Sequence, residues 1–341
     1  MDKIAQFQQE YPSNESYWRA IILFGRNVAS YKFALAASLL ELAEQGKTHV
    51  SLEELSLPYS KHLCDHLKIS DRQGTSAESR FLSACRQYNA QEIGLDELLG
   101  ITQKLGFNNV LDAFHVVSGS EIPNRFFVKN SGGIVLTDEV FQLGTIPFSQ
   151  DLSCEIESRW SLVETAWDLK LPTHALKIEY DDSSKLFRIG DNKIRRKDIT
   201  PARHALNGYQ KGKCFYCFDN ICVSNGLDNR CDVDHFFPFK LQSYLPGINL
   251  NGIWNLVLAC PDCNRGMDGK FEKVPNLRYL ERLEKRNNFL VNSHHPLRET
   301  IIAQTGRTDQ ERHQFLQEMY NFAKTRLIHS WTAKRELEPA F

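Results

Sequence analysis

Four cysteines in two closely spaced pairs are the residues of this sequence best suited to bind a metal ion. Cys214 and Cys217 form one C-x2-C pair, and Cys260 and Cys263 form the other. Each pair wraps one side of a metal ion, so two pairs supply the four thiolates of a closed tetrahedral zinc site. The spacing predicts a structural zinc. The alternative interpretation is a set of buried cysteines that pack as small apolar side chains.

The other cysteines carry weaker signals, although the chain has 9 in all. Cys222 and Cys231 are close enough in sequence to exchange into the metal site. Neither belongs to a pair, so we interpret both as thiols of the core. Cys64, Cys85 and Cys154 carry no signal for metal binding.

Oxygen and imidazole donors lie between the two cysteine pairs. Asp234 offers a carboxylate and Asn264 an amide carbonyl, and oxygen ligands are those that magnesium prefers. His235 has an ordinary pKa of about 6.5, so it is expected to take a proton from an attacking water near neutral pH. Since consecutive strand residues point to opposite faces, the Asp-His pair must lie at a strand end. Asp232 is the alternative ligand if the strand register differs. The alternative interpretation without a metal is that Asp234 is an acidic residue of a turn and Asn264 caps a helix.

Basic residues near these donors favour a polyanionic substrate, although the formal net charge of -1 gives no overall attraction to nucleic acid. Pro261 is a favoured first helical residue, and a helix start attracts phosphate, so Arg265 beside Asn264 is expected to contact the substrate. The basic run 278–286 is an additional candidate, but a charged helix face is usually just solvated. Further candidates for nucleic-acid contacts are Lys270, Lys213 and Arg203.

The segment 198–275 resembles the HNH endonuclease family, whose pattern runs C-x2-C, D-H-x-x-P, N-L-x-x-L and C-x2-C-N. The resemblance implies a ββα-metal domain in which a hairpin and a helix clasp one catalytic metal ion, with the cysteine knuckles at the base of the hairpin. It makes His235 the general base, Asn255 the asparagine that braces the loop and the histidine, and Asp234 one metal ligand.

Asn264 takes the place of the final histidine of the HNH pattern and is the second ligand that the resemblance implies. In this it is similar to the HNH domains of RNA-guided CRISPR nucleases, which also continue with Arg-Gly. An amide oxygen is a hard ligand, so it favours Mg²⁺ or Mn²⁺ over a transition metal.

Two other function classes stay open beside a DNA endonuclease. One is a zinc-dependent module that binds nucleic acid or protein without cutting it, and the other is an RNA-cleaving toxin with the same metal centre. The set Asp234, His235 and Asn264 argues against the first. The chain also resembles stand-alone bacterial HNH proteins of restriction and antiviral defence, which implies a defence nuclease.

The composition is that of an ordinary globular protein, with 42% hydrophobic and 24% charged residues among 341. The first residues lack the pattern of a secretory signal, and the apolar runs are shorter than the roughly 20 residues that a membrane span needs. We therefore expect a cytoplasmic protein without a membrane partner.

The distribution of these motifs predicts three regions. Residues 1–197 contain no pattern of catalytic residues. They predict a mostly helical regulatory or recognition region, which would bind a partner protein or a DNA feature. Residues 198–295 predict the HNH nuclease domain with its zinc knuckles. Residues 296–341 predict a C-terminal helical segment, so that the whole chain is of the α+β class.

Hydrophobic periodicity predicts the elements of the first region. Residues 18–44 predict one amphipathic helix that ends before Gly46, and Ser51 with Glu54 has the capping-box spacing of a second helix. The runs 125–130 with 134–137, and 176–180 with 185–189, predict two hairpins.

Helical spacing returns later in the chain. Residues 155–169 predict a helix that buries Trp160 and Trp167, and Thr200 with Pro201 predict the cap and first turn of another. A last helix is predicted over 308–331. The residues expected to face inward from it are Phe315, Met319, Phe322 and Leu327.

Overall fold

The computed structural model describes residues 12–25, 28–75, 79–117, 119–146, 148–168, 178–191, 194–224, 230–293 and 295–341, and it describes the side chains of these residues except 190–201. Its helices and small sheets confirm the α+β class. The chain divides into two compact units between residues 171 and 172. We call residues 12–171 the N-terminal unit and residues 172–341 the C-terminal unit. The division lies earlier than the predicted boundary at 197, and the predicted segment 296–341 belongs to the same unit as the region before it.

Helices make up most of the N-terminal unit. They are α1 (Asn14–Phe24), α2 (Tyr31–Glu44), α3 (Leu52–Ile69), α4 (Arg80–Asn89), α5 (Leu95–Ile101), α6 (Val110–Ala113), α7 (Asp138–Leu143) and α8 (Gln150–Asp168). The short strands are β1 (His49–Ser51), β2 (Val116–Val117), β3 (Ser120–Glu121), β4 (Phe127–Lys129) and β5 (Gly133–Leu136). Strand β5 pairs antiparallel with both β1 and β4, so the first predicted hairpin is confirmed.

The predicted single helix over 18–44 is wrong, because the chain breaks between α1 and α2. Gly25 adopts an extended conformation after α1. The Lys32 ammonium donates to the carbonyl of Gly25 at 2.7 Å and so caps the end of α1. Apolar spacing continues across this break, so periodicity alone did not reveal it. Local cap signals were accurate: Gly46 has φ +72, and Ser51 with Glu54 forms the predicted capping box at the start of α3.

A buried histidine joins α3 to α8. The His66 imidazole lies 3.0 Å from the Glu157 carboxylate and 2.7 Å from that of Glu164. It stacks on the indole of Trp160, which is fully buried as predicted. Burial opposes the imidazolium charge, but hydrogen bonds to the two carboxylates outweigh it and raise the pKa of His66 to about 9. The pair of helices is thus held by a charged cluster in which His66 and Glu164 are buried and Glu157 is exposed.

The described residues of the C-terminal unit form two small antiparallel sheets and one short parallel pair. Strand β7 lies between β6 and β8, and its pairing with β6 confirms the second predicted hairpin. Strand β9 pairs antiparallel with β10, and β11 pairs parallel with β12. The strands are β6 (Ile178–Asp181), β7 (Leu186–Asp191), β8 (Ile194–Pro201), β9 (Asp232–His235), β10 (Leu256–Ala259), β11 (Val274–Pro275) and β12 (Ser330–Trp331).

Helices surround these sheets. They are α9 (Ala202–Gln210), α10 (Pro261–Arg265), α11 (Leu277–Asn292), α12 (Arg298–Thr305) and α13 (Asp309–Arg326), with 3-10 turns at Phe239–Tyr244 and Ile253–Asn255. Helix α9 begins at Ala202, one residue after the predicted first position, because Thr200 and Pro201 still belong to strand β8. None of the helices among the described residues is long and apolar enough to cross a membrane.

The last predicted helix is confirmed in position but not in length. Thr308 caps α13, which ends at Arg326 rather than continuing to residue 331. Met319 is buried as predicted, but Phe315 and Phe322 are only half-buried. The chain after α13 instead forms β12, because its backbone pairs with β11.

Candidate active site and metal centre

The two cysteine pairs come together at the base of the β9–β10 hairpin. The sulfur atoms of Cys214, Cys217, Cys260 and Cys263 all lie within 4.8 Å of one another. Those of Cys217 and Cys260 are 3.7 Å apart. A tetrahedral zinc ion with Zn–S distances of about 2.3 Å requires sulfur separations of about 3.8 Å. The four sulfur atoms therefore fit a tetrahedral metal ion such as zinc.

Local structure directs hydrogen-bond donors toward these sulfur atoms. The N–H of Cys260 donates to the Cys214 sulfur at 3.3 Å, and the N–H of Cys263 donates to the Cys260 sulfur at 3.4 Å. Hydrogen bonds from Cys214 lower the pKa values of Cys217 and Cys260, whereas burial raises the pKa of Cys214. The hydrogen bond with Cys214 raises the pKa of Cys263, so only Cys217 and Cys260 favour the thiolate form that binds metal.

Cys222 and Cys231 lie outside this cluster, as predicted for core thiols. Both side chains are fully buried. The N–H of Cys231 donates to the carbonyl of Cys222 at 2.8 Å, which holds the two segments side by side.

Strand β9 carries the candidate catalytic residues and ends at His235, so the motif lies at a strand end as predicted. Asp234 pairs in register with Val257, and Asp232 with Ala259. Side chains alternate along a strand, so Asp232 and Asp234 point to one face and His235 starts from the other.

The Asp234 carboxylate is buried and bound by two donors. The Tyr216 hydroxyl donates to one of its oxygens at 2.6 Å, and the Lys270 ammonium donates to the other at 3.0 Å. Lys270 is completely buried and also donates to the carbonyl of His235 at 2.8 Å. The predicted ligand Asp234 and the predicted nucleic-acid contact Lys270 therefore form an internal ion pair, and this ammonium is not presented at the surface.

Asp232, the alternative ligand, is the carboxylate that lies against Asn264. The Asn264 amide donates to the Asp232 carboxylate at 3.1 Å, and the Arg265 guanidinium donates to the same oxygen at 2.8 Å. Asn264 and Arg265 belong to α10, which is five residues long. A Cβ on Gly269 would come within 2.8 Å of the Asn264 carbonyl, so this loop packs closely on the helix.

The His235 imidazole is half-buried and oriented by Asn251. Its Nε2 lies 2.7 Å from the side-chain oxygen of Asn251. That oxygen only accepts hydrogen bonds, so Nε2 carries the proton and Nδ1 is left as the basic atom. Burial lowers the pKa of His235, which keeps the ring neutral near neutral pH. The aromatic rings of Tyr180 and Phe239 lie 6.2 and 5.4 Å from the imidazole, measured between centroids.

Sequence reasoning did not identify Asn251 or Tyr180. Asn251 lies in a polar turn 16 residues after His235, and Tyr180 comes from a different sheet. Neither position belongs to a recognisable spacing pattern. Contacts of this kind depend on tertiary structure, so no sequence signal marked them.

Asn255 is fully buried and braces the loop that follows β9. Its side-chain oxygen accepts from the N–H of Phe237 at 2.8 Å. Its amide nitrogen donates to the carbonyls of Phe237 at 3.1 Å and Leu250 at 2.9 Å. These bonds connect the end of β9 with the segment before β10. The side chain that hydrogen-bonds to the His235 ring is Asn251 instead.

The other predicted nucleic-acid contacts differ in their surroundings. Arg265 is largely exposed beside Asp232. The guanidinium of Arg203 donates to the carbonyl of Cys231 at 2.6 Å, and the ammonium of Lys213 donates to Asn220 at 2.6 Å. Arg265 is therefore the one of these three with the most exposed position near the site.

The basic run on α11 is directed partly inward. Arg282 donates to the carbonyls of Phe215 and Tyr216 in the first cysteine knuckle. Arg286 is buried and donates to the carbonyl of Leu256 at 2.9 Å. These two arginines satisfy backbone carbonyls of the hairpin region, which explains a cationic helix face without a polyanionic ligand.

Comparison with protein families, curated proteins and solved structures finds no match for this chain.

Proposed function

We propose that this protein is a metal-dependent endonuclease of the HNH type that hydrolyses phosphodiester bonds in DNA. The observation that carries the proposal is the arrangement around one short hairpin. Asn264 lies in contact with Asp232 on one side, and a neutral His235 held by Asn251 stands at the strand end. The four-cysteine cluster fixes the base of the same hairpin.

Each group has a role in this proposal. The four cysteines hold a structural zinc, which contributes free energy of folding. Asn264 and Asp232 are oxygen donors suited to Mg²⁺ or Mn²⁺, and such an ion supplies a Lewis acid for the phosphate when bound. Asp234 remains the ligand implied by the HNH resemblance, although its use would require Lys270 to release it.

The proton transfer is assigned to His235. With Nε2–H donated to Asn251, the Nδ1 atom is the one that accepts the proton of an attacking water. Asn251 is a positioning residue, because it fixes the tautomer and the ring plane. The exposed guanidinium of Arg265 is suited to a phosphate contact next to Asn264.

A non-catalytic zinc module is the competing proposal, and the buried Asp234–Lys270 pair favours it. That pair gives both residues a structural role without any catalytic metal. An RNA-cleaving enzyme with the same centre is a third class. A role in restriction or antiphage defence, with the N-terminal unit recognising a partner protein or a DNA feature, rests on the sequence resemblance alone.

One assay separates these proposals. Purified protein is incubated with supercoiled plasmid DNA or with total RNA, with magnesium, with manganese, or with EDTA. We expect DNA to be nicked or cut with either metal and to stay intact with EDTA. Cleavage of RNA alone would favour the toxin class. Intact DNA and RNA under all conditions, with zinc bound to the protein, would contradict the nuclease proposal.

A further inference from the structure

Two exposed aromatic side chains lie beside the candidate active site. Phe239 is 46% exposed and its ring lies 5.4 Å from that of His235. Phe271 is 50% exposed, and its N–H donates to the carbonyl of Asn264 at 2.9 Å. An ion pair of 2.7 Å between Lys240 and Glu272 joins the segments that carry them. Both rings thus stand on neighbouring segments, next to the residues assigned to catalysis.

The backbone of Phe271 adopts a strained conformation. Its φ of +46 lies in the left-handed region, which bulky residues rarely adopt. The Lys270 ammonium donates to the carbonyl of Phe271 at 3.3 Å, while the N–H of Phe271 is held by Asn264. The contacts on both sides of the residue fix its conformation. Backbone strain of this kind is commonly found at functional sites.

An exposed phenyl ring presents a flat apolar surface, and nucleobases stack on such surfaces. Bases inside a duplex are already stacked on their neighbours, so only unpaired bases reach the rings. The exposed side chains of Lys240, next to Phe239, and Arg265, next to Asn264, pair with the carboxylates of Glu272 and Asp232 respectively. Exposed ion pairs are weak, so these cations can exchange their carboxylate partners for phosphates. Positive charge beside aromatic rings is the combination by which proteins bind single strands.

We propose that Phe239 and Phe271 stack on unpaired bases, so that the protein takes single-stranded or locally unpaired nucleic acid as its substrate. That the bound strand is a substrate rests on the proposed nuclease function. The binding of unpaired bases does not depend on cleavage.

The test measures binding in the absence of magnesium by fluorescence anisotropy. Labelled single-stranded DNA, single-stranded RNA and DNA duplex of one sequence are compared. We expect the single strands to bind more tightly than the duplex, and the DNA and RNA arms show which strand is preferred. Phe239→Ala and Phe271→Ala should each weaken single-strand binding about 5- to 150-fold.

Matched variants separate stacking from general apolar contact and from folding. Phe271→Tyr keeps an aromatic face and should bind single strands as the wild type does, whereas Phe271→Leu should bind like Phe271→Ala. Ile328→Ala removes an apolar side chain that is 79% exposed after α13, and should leave binding unchanged.

Two outcomes overturn the inference. Equal affinity for duplex and single strand would contradict it, and so would alanine variants that bind single strands as the wild type does, which would point to a protein partner for these rings. If binding follows the expectation but no nucleic acid is cut with magnesium, the inference stands and the nuclease proposal fails.

Discussion

Replacement of Lys270 by methionine tests the buried ion pair at the centre of the site. The Lys270 side chain is 0% exposed and its ammonium donates to Asp234 at 3.0 Å and to the carbonyl of His235 at 2.8 Å. Its removal leaves the buried Asp234 carboxylate with the Tyr216 hydroxyl as its described donor. Loss of one partner from a buried pair costs about 3–5 kcal/mol. The free energy of unfolding of the C-terminal unit should fall by about this amount.

The assay combines thermal unfolding with hydrogen exchange of the β9 amides, at constant zinc loading. Asp234→Asn is measured alone and together with Lys270→Met. Since both partners are then neutral, the double variant should be more stable than the sum of the single effects by at least about 1 kcal/mol. Lys240→Met is the matched control, because its ion pair with Glu272 is exposed and should contribute about 0–1 kcal/mol.

The prediction from sequence that Lys270 contacts nucleic acid leads to a different result. A surface lysine that binds phosphate would affect DNA affinity and leave unfolding almost unchanged. If Lys270→Met unfolds like the wild type, or if the two substitutions are additive within about 0.5 kcal/mol, the buried-pair reasoning is refuted.

Three further predictions concern the four-cysteine cluster, the loop held by Asn255 and the N-terminal unit. Cys263→Ser should lose most of its bound zinc, measured by elemental analysis, and should unfold at a lower temperature than the wild type. Cys222 is buried outside the cluster, so Cys222→Ser should keep its zinc. Equal zinc contents in the two variants would contradict the metal site. Asn255→Ala leaves three buried backbone groups without their Asn255 partner, so the free energy of unfolding should fall by about 1–3 kcal/mol or more in thermal unfolding. An unchanged melting temperature would contradict a stabilising role of Asn255 in this loop. The raised pKa of His66, about 9, gives a stabilisation that is complete below pH of about 6.5 and is lost as pH rises through about 9. Wild type should therefore lose about 1–3 kcal/mol relative to His66→Gln between those pH values in thermal unfolding, and parallel pH curves would disprove the assignment.

Features set by neighbouring residues were predictable from the sequence. The capping box of Ser51 and Glu54 depends on residues three apart, and the two hairpins depend on short apolar runs around turns. The cysteine cluster was predictable because the two cysteines of a C-x2-C pair are close enough in sequence to contact one metal ion. The second pair brings the number of thiolate ligands to four, as in a tetrahedral zinc site.

Features that depend on distant contacts were not predictable. The sequence predicts Lys270 as an exposed lysine that contacts nucleic acid, yet it forms an ion pair with Asp234, 36 residues earlier. Arg286 lies on a basic helix face, yet it donates to a carbonyl 30 residues earlier. A pattern of charges does not distinguish a solvated cation from one that satisfies buried oxygens, because both occur on amphipathic helices. Even the choice between Asp232 and Asp234 as partner of Asn264 required the register of β9.

The single-turnover rate of nucleic-acid cleavage by His235→Ala tests the central proposal most directly. The variant is compared with the wild type and with His313→Ala, which changes an exposed histidine of the same unit. With zinc content, thermal unfolding and nucleic-acid binding unchanged, loss of the general base should slow cleavage about 100- to 10,000-fold, while His313→Ala cuts at the wild-type rate. A folded, zinc-loaded His235→Ala protein that cleaves as fast as the wild type would contradict the proposal.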